Sequence, residues 1–482
     1  MLFNSSEFAL FLPFSFLLYW FVFKKHLKAQ NFFLLAISYV FYGWWDWRFL
    51  SLIAFSSLVD FIAGQQIEKS NTKARKKFFL WISICTNLGF LGFFKYFNFF
   101  AESFADMVTM IGMQANPWSL NVILPVGISF YTFQTMSYTI DLYRGQMKAE
   151  KDPVAFFAYV SFFPQLVAGP IERAVNLLPQ FKIKREFSYE QGADGMRLIL
   201  WGLFKKVVIA DNCAIFVNEI FANYQSASGM ELILGAVFFA FQIYGDFSGY
   251  SDIAIGTAKL FGFNLMTNFR TPYFSRDMAE FWRRWHISLS TWFRDYVYIP
   301  LGGSRVGKGR AVFNTFVIFV VSGFWHGANW TFIIWGALNA IYFLPLLLLG
   351  KNRKNTDTVA ENRFLPNLVE IWQMGSTFAL TCLAWVFFRA ETVTNAFVYI
   401  RNIFNFEGSF FDLKRPSLIG YSLPLIIIFW IFIEWIIRKN SIENLFGDRA
   451  NKLVKYGFYY AIVVIIFFFG AFDKSEFIYF QF

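Results

Sequence analysis

Long apolar blocks separated by short polar loops run along nearly the whole chain. A bilayer-crossing helix needs about 20 apolar residues, because it rises about 1.5 Å per residue across a hydrocarbon core about 30 Å thick. The blocks predict twelve crossings, within a range of about 11–13. They cover residues 8–23, 31–47, 51–63, 78–100, 120–140, 196–221, 232–250, 311–325, 330–349, 371–388, 419–437 and 456–472. The pattern therefore predicts an all-α polytopic membrane protein.

Two further stretches do not fit simple crossings. Residues 155–170 are apolar but contain Pro164, Gly169 and Pro170, and such a break is tolerated at membrane depth where protein or a cavity covers the backbone. We expect this stretch to re-enter the membrane without crossing it. Residues 246–310 are weakly apolar and rich in arginine, which predicts an interfacial region on the cytoplasmic side. All these pieces are expected to form one integral-membrane domain over residues 1–482.

Composition supports the membrane assignment and excludes a nucleic-acid partner. The chain is 57% hydrophobic and only 16% charged, whereas a soluble domain is about a quarter charged. Its net charge of +11 comes largely from short basic loops such as KKHLK and KSNTKARKK, which are typical of cytoplasmic loops. Placing these loops in the cytoplasm puts both termini outside. Arg401, Lys414 and Arg415 are exceptions, because they fall in a loop that this topology places outside.

The cysteines and the first apolar block suggest no additional chemistry. Cys85, Cys213 and Cys382 have neither pairing nor metal-ligand spacing, so we expect buried small hydrophobic side chains and no metal. The block at residues 8–23 lacks a basic amino-terminal region and a small-residue cleavage site. It predicts a retained first helix instead of a signal peptide.

His326 is one of only three histidines and follows a short apolar block. The block at residues 311–325 would span about 22 Å, less than the hydrocarbon core. Gly327 and Asn329 favour a turn, and a second block follows at once. Residues 311–350 therefore predict a helical hairpin with His326 near its tip, in the outer half of the membrane. A neutral imidazole there could be a general base, or a structural histidine that bonds within the bundle.

His286 and two arginines occur in the stretch RDMAEFWRRWHISLSTWFRDY. Helical spacing predicts one continuous amphipathic helix, with His286 on its apolar face as a site residue or as a buried structural link. Arg283 and Arg284 either anchor the chain at the membrane surface or bind an anionic cosubstrate such as a phosphate-bearing coenzyme. Upstream, Asp246 and Asp252 in YGDFSGYSD could pair with these arginines or cap a helix.

Eight motifs, in order along nearly the whole chain, resemble the membrane-bound O-acyltransferase family, most closely its bacterial alginate O-acetylation and teichoic acid D-alanyl transfer branch. They are MLFNSSEFALFLP, SYVFYGWWDWRF, LPVGISFYTFQTMSYTIDLYRG, FFPQLVAGPIER, YGDFSGYSDIAIG, NFRTPYFSRDMAEFWRRWHISLSTWFRDYVYIPLGGSR, SGFWHGANWTFIIWG and WVFFRAET. The resemblance implies a helical bundle around a central funnel, His326 as the catalytic residue and His286 as a second functional residue. It also implies acetyl-CoA as the cytoplasmic donor and a separate periplasmic acetyltransferase as a partner.

Two functions follow as hypotheses. The first is transfer of acetyl to a hydroxyl of an extracytoplasmic polysaccharide or partner protein, in a multi-pass protein of the bacterial inner membrane. The acceptor stays open among alginate, peptidoglycan, another polysaccharide and a protein. The alternative is a transporter or flippase of a lipid-linked sugar or acyl carrier, with His326 as a proton relay. Transporters often show repeated halves, and the absence of a detectable repeat in this sequence favours the enzyme.

Overall fold

The computed structural model describes residues 1–113, 119–120, 122–167, 169–405, 418–446, 451–472 and 477–478. Throughout these ranges the regular secondary structure is helical, with no strand. The chain divides into two compact units. Unit 1 comprises Met1–Met196 and Ala254–Met266, and unit 2 comprises Arg197–Ile253 and Thr267–Phe482. Both His286 and His326 belong to unit 2.

Twenty α-helices are assigned in the described residues. The first ten are α1 Ser6–Leu17, α2 Leu27–Asp46, α3 Leu50–Lys69, α4 Lys73–Leu91, α5 Phe97–Met110, α6 Ile128–Tyr143, α7 Pro153–Val160, α8 Phe163–Leu166, α9 Ala174–Leu177 and α10 Tyr189–Leu203. The others are α11 Asp211–Ala222, α12 Gly229–Leu260, α13 Met278–Arg284, α14 Ile287–Phe293, α15 Lys308–His326, α16 Trp330–Leu348, α17 Leu368–Arg389, α18 Val393–Ile403, α19 Leu418–Ile437 and α20 Lys452–Phe469.

Six helical stretches of the described chain are long and apolar enough to cross a membrane. They are Leu27–Lys69, Lys73–Met110, Gly229–Leu260, Trp330–Leu348, Leu368–Arg389 and Lys452–Phe469. The first of them contains two helices, α2 and α3, where the sequence predicted two crossings. The prediction of an all-α, multi-pass membrane protein is confirmed, while the predicted total of crossings stays a prediction.

Several predicted boundaries were wrong for identifiable reasons. The helix expected from residue 120 begins only at Ile128, because Gly127 before it has a left-handed backbone with φ 77°. The helix expected to end at residue 250 continues to Leu260. Its later polar side chains, Ser251 and Thr257, are buried against protein, so its composition looked weakly apolar. The interrupted stretch at 155–170 does break, into α7 and α8.

A buried polar cluster joins three helices within unit 1. The carboxylate of Asp60 on α3 accepts hydrogen bonds from Ser83 and Asn87 on α4, at 2.5 and 2.9 Å. Thr135 on α6 donates to the Asn87 amide oxygen at 3.1 Å. A buried carboxylate must be hydrogen-bonded, and these bonds meet that requirement without a positive charge. Of the three cysteines, Cys213 and Cys382 are buried as expected, but Cys85 on α4 is exposed, so the expectation of burial was wrong for Cys85.

Candidate functional site

Helices α15 and α16 form a hairpin joined by three residues, 327–329. A Cβ atom at Gly323 would overlap the carbonyl oxygen of Phe332, and one at Gly336 would overlap that of Phe319. The two helices therefore meet backbone to backbone, which only glycine permits. Asn329 caps α16 by accepting a hydrogen bond from the Thr331 amide at 3.0 Å. His326, the last residue of α15, is thus held at the turn of the hairpin.

The hairpin differs from its prediction in one respect. Helix α15 begins at Lys308, before the apolar block, and has 19 residues. Its length is therefore about 28 Å, close to the thickness of a hydrocarbon core. The helix is longer than the apolar block because it also includes Lys308 and Arg310, and the shortfall of the apolar span itself stays a prediction. A position of His326 in the outer half of the membrane stays a prediction.

His326 is enclosed by aromatic side chains. It is buried, with 3% of its surface exposed. Its ring centroid lies 4.8 Å from that of Trp325, 5.2 Å from that of Trp335 on α16 and 5.5 Å from that of Phe388 on α17. Such walls exclude water from the imidazole and lower the local dielectric constant, which strengthens any electrostatic interaction made there.

His286 does not lie within a helix, so the predicted continuous helix was wrong. Its backbone is left-handed, with φ 42° and ψ 55°, and it separates α13 from α14. The backbone on either side pairs with a neighbouring segment instead: the Arg270 amide donates to the Arg284 carbonyl at 3.0 Å, and the Ile287 amide to the Asn268 carbonyl at 2.9 Å. A left-handed non-glycine residue costs about 1–3 kcal/mol, and such strain is often found at functional sites.

Asn268 holds this break in place. Its side-chain oxygen accepts hydrogen bonds from the Ser288 hydroxyl at 2.7 Å and from the Ser288 amide at 3.3 Å. Asn268 and Ser288 are both buried. Together with the backbone pairing, these bonds fix the residues on both sides of His286, and therefore the direction in which its ring projects.

The two histidines are brought together. Their ring centroids lie 6.3 Å apart, and both rings are almost fully buried. Phe247 on α12 contacts the His286 ring edge to face at 4.5 Å. His286 lies outside the six candidate membrane helices, and burial lowers its pKa to about 3, so its imidazole is neutral near pH 7. A pair of imidazoles at this separation is suited to binding and deprotonating one small polar group.

Arg283 and Arg284 bind the polypeptide that joins α16 to α17. Arg283 donates to the carbonyl oxygens of Asn352 and Asn355, at 2.8 and 2.6 Å. Arg284 donates to the carboxylate of Glu280 at 3.0 Å and to the carbonyl of Asp357 at 3.1 Å. Both arginines therefore anchor the loop between α16 and α17. An anionic cosubstrate would have to share the N–H donors of these arginines with the loop.

A buried ion network in unit 2 was not predicted from the sequence. The Lys206 ammonium lies 2.8 Å from the Asp211 carboxylate and 2.9 Å from that of Asp246. The Lys205 ammonium lies 2.6 Å from Asp252. The two aspartates of the YGDFSGYSD motif thus pair with lysines, not with arginines as considered above. The lysines lie in a π-helical segment, Phe204–Ala210. Their presence inside an apolar block is the sequence feature that could have predicted the network.

Known proteins resemble this chain over the region that contains these residues. The profile of MBOAT, the membrane-bound O-acyltransferase family, matches residues 147–387, which include both histidines. The chain is 38% identical to the probable alginate O-acetylase AlgI of Pseudomonas aeruginosa, over 94% of this chain and 84% of that protein. It is 36% identical to the peptidoglycan O-acetyltransferase of Helicobacter pylori, over 85% and 80%. It is also 30% identical to the teichoic acid D-alanyltransferase of Streptococcus thermophilus, over 50% of this chain and 62% of that protein.

Proposed function

The chain belongs to the membrane-bound O-acyltransferase family, and on that premise we propose that it transfers acetyl from cytoplasmic acetyl-CoA to an extracytoplasmic hydroxyl, with His326 as the general base. The observation that carries the proposal is the buried pair of His326 and His286 at the hairpin turn. No other pair of histidines is available, because the third histidine, His26, is exposed in the loop before α2.

The direction of transfer rests on the charge of the loops. Residues 349–367 join α16 to α17 and contain Lys351, Arg353, Lys354 and Arg363. Basic loops lie predominantly in the cytoplasm, so this end of the hairpin is the donor side. Arg283 and Arg284 bind the same loop. If the coenzyme binds at this end, both arginines would lie near its phosphates. The hairpin turn, at the other end of α16, would face the acceptor.

The chemical step is transfer of an acyl group from the thioester sulfur to the oxygen of the acceptor hydroxyl. The His326 imidazole takes the proton from the acceptor hydroxyl as its oxygen attacks the thioester carbonyl. The new carbon–oxygen ester bond forms, the carbon–sulfur bond breaks, and the imidazolium returns the proton to the coenzyme thiolate. General-base help of this kind contributes about a hundred- to ten-thousandfold. His286 would position the hydroxyl or the carbonyl oxygen, in surroundings that exclude water. A transient acetyl-histidine is a second route to the same product.

The acceptor is proposed to be a polysaccharide hydroxyl. Two groups of relatives are named for O-acetylation of alginate and of peptidoglycan, and both are polysaccharides. A bacterial inner membrane would separate the coenzyme from such polymers, and a periplasmic acetyltransferase or esterase-like partner could relay the acetyl group. The transporter hypothesis gains no support, because the named relatives are acyltransferases.

Replacement of His326 with Ala tests the proposal. The protein is purified in lipid nanodiscs and supplied with radiolabelled acetyl-CoA and a polysaccharide acceptor. His326→Ala should reduce label transfer by at least a hundredfold, because the base is lost, while the melting temperature stays near that of the unmodified protein. His26→Ala removes an exposed histidine and should transfer normally. Undiminished transfer by His326→Ala would refute the general-base role.

A further inference from the structure

An aromatic cavity of about 240 Å³ lies in unit 2 between α12, α17, α19 and the segment Thr271–Phe274. Sites that enclose a whole drug-sized ligand are larger, about 300–1,000 Å³, so this cavity would enclose only part of a lipid-sized molecule. Among the lining residues that the structure describes, only Glu434 is charged. The aromatic lining residues are Phe241, Tyr244, Tyr273, Phe274, Phe378 and Trp430.

Glu434 has no cation of the described chain to balance it. The residue is 5% exposed, and its carboxylate accepts a hydrogen bond from the Tyr244 hydroxyl at 2.7 Å. In the described part of the chain, no lysine or arginine lies within ion-pair distance of this carboxylate, and Lys205 is paired with Asp252 instead. A buried carboxylate without a cation is costly, and one hydroxyl donor uses only part of its accepting capacity. Glu434 is therefore either protonated or balanced by a cation from outside the chain.

The charged end of the cavity lies near a membrane surface, and its aromatic part lies deeper. Glu434 is three residues before the end of α19, which corresponds to about 4.5 Å along the helix. Phe378 is ten residues after the start of α17, which corresponds to about 15 Å. The basic loop at 349–367 precedes α17, and Arg438, directly after α19, donates to the carbonyl oxygen of Ala360 in that loop. Both helix ends therefore lie on the side that the charge rule assigns to the cytoplasm.

The cavity is bordered by apolar side chains that point away from the protein core. A Cβ atom at Gly375 of the lining would meet nothing within 4 Å. Trp372 on α17 and Phe432 on α19, close in sequence to lining residues, are exposed. Exposed apolar surface of this kind is where a membrane protein contacts lipid. We therefore expect a ligand to enter the cavity from the lipid of the inner leaflet.

An ammonium group matches this lining best. Aromatic faces attract organic cations electrostatically, and aromatic cages are a common site for ammonium groups. The Glu434 carboxylate would neutralise such a cation and would repel an anionic headgroup. A purely apolar chain would fill the cavity but leave the carboxylate unbalanced. The ligand that suits both parts of the cavity is amphipathic, with its positive charge at the level of the membrane surface.

We propose that this cavity binds a phospholipid of the inner leaflet that carries an ammonium headgroup, such as phosphatidylethanolamine. The ammonium lies beside Glu434, and the adjoining part of the lipid lies among the aromatic side chains. The proposal is independent of the proposed acetyl transfer, and it assigns no catalytic role to Glu434.

The cavity wall also connects to the segment that carries His286. The rings of Tyr244 and Tyr273 pack against Trp285, each with its centroid 6.0 Å from that of Trp285. Trp285 directly precedes His286 in the chain. A lipid bound against these tyrosines would therefore stabilise the backbone that holds His286.

Native mass spectrometry of the purified full-length protein in detergent tests the proposal. Phosphatidylethanolamine, phosphatidylcholine and phosphatidylglycerol with identical acyl chains are titrated in turn. The first two carry an ammonium group, and each should bind at least about tenfold more tightly than phosphatidylglycerol, because only their headgroups can pair with the buried carboxylate. This comparison uses the unmodified protein, so it does not depend on the folding of a variant.

Two variants locate the binding site. Glu434→Gln removes the charge but keeps an acceptor for the Tyr244 hydroxyl, and it should reduce the affinity for phosphatidylethanolamine at least about tenfold. Phe378→Leu keeps an apolar side chain but removes a ring, and it should weaken the same binding about threefold. The matched control is Glu391→Gln, which removes an exposed carboxylate just beyond the other end of α17 and should keep the affinity within about twofold.

Thermal unfolding in nanodiscs provides a second measurement that does not count bound lipids. Nanodiscs that contain phosphatidylethanolamine should raise the unfolding temperature of the unmodified protein above its value in phosphatidylglycerol alone, because a ligand that binds only the folded state stabilises it. The increase should be smaller for Glu434→Gln and unchanged for Glu391→Gln.

Three outcomes would overturn the proposal. The first is equal binding of phosphatidylethanolamine and phosphatidylglycerol by the unmodified protein. The second is an unchanged headgroup preference in Glu434→Gln, which would indicate that Glu434 is protonated and binds no cation. The third is displacement of the lipid by free phosphoethanolamine or by coenzyme A, which would assign the cavity to a soluble ligand.

Discussion

Unit 2 buries two polar centres that are built in opposite ways. In the ion network, the Lys206 ammonium has two carboxylates within 2.9 Å, and Asp246 also accepts a bond from the Ile478 amide at 2.7 Å. The histidine pair is instead walled by aromatic rings. In the first centre, opposite charges satisfy one another, so the loss of one charge would leave its partners buried and uncompensated. In the second, two weakly basic rings are kept dry, which suits the catalytic role proposed for them.

The largest effect on folding should come from breaking the ion network. Lys206→Met leaves the Asp211 and Asp246 carboxylates buried without their cation, which should destabilise the protein by about 3–5 kcal/mol. The measurement is denaturant unfolding in detergent micelles. Lys184→Met, in which the lysine is exposed and only 3.9 Å from an exposed Glu186, serves as the control and should change stability by less than about 1 kcal/mol. Similar losses for both variants would mean that the network is not structural.

A smaller effect is expected where the hairpin holds His326. Gly323→Ala inserts a methyl group against the Phe332 carbonyl and should destabilise by about 1–3 kcal/mol through overpacking. It should also lower acetyl transfer, because α15 must shift and His326 moves with it. Gly375→Ala, in an open position of α17, should instead stabilise by about 0.5–1 kcal/mol. A Gly323→Ala protein with normal stability would contradict the backbone contact.

The smallest effect distinguishes backbone strain from side-chain chemistry at His286. Asn tolerates a left-handed backbone, whereas a β-branched residue does not. The free energy of unfolding of His286→Asn should therefore exceed that of His286→Val by about 1–2 kcal/mol. Thermal unfolding of the two variants measures this difference, and acetyl transfer should be impaired in both. Equal stability of the Asn and Val variants would show that the left-handed geometry is not maintained.

The sequence predicted what depends on local pattern. Apolar blocks and the Gly327 and Asn329 turn predicted the hairpin, and the ordered motifs predicted the family, which the comparisons confirm. The general class, a membrane O-acyltransferase, was likewise predicted correctly. The roles of His286 and His326 stay predictions, although the structure brings their rings together.

Non-local contacts account for what sequence reasoning missed. The break at His286 comes from backbone pairing with Asn268 and Arg270, which no periodicity within the helix could reveal. Arg283 finds its partners about 70 residues later, at Asn352 and Asn355. The boundary of α12 was misjudged because a polar side chain buried against protein looks the same in sequence as one that faces water.

The glycine contact between α15 and α16 has a mechanical consequence. Side chains between two helices can change rotamer and let one helix slide along the other, but here the carbonyls of Phe319 and Phe332 face bare Cα atoms. Axial sliding would drive these carbonyls into bulkier residues on either side. We therefore expect α15 and α16 to move as one rigid body, with the position of His326 fixed relative to both helices.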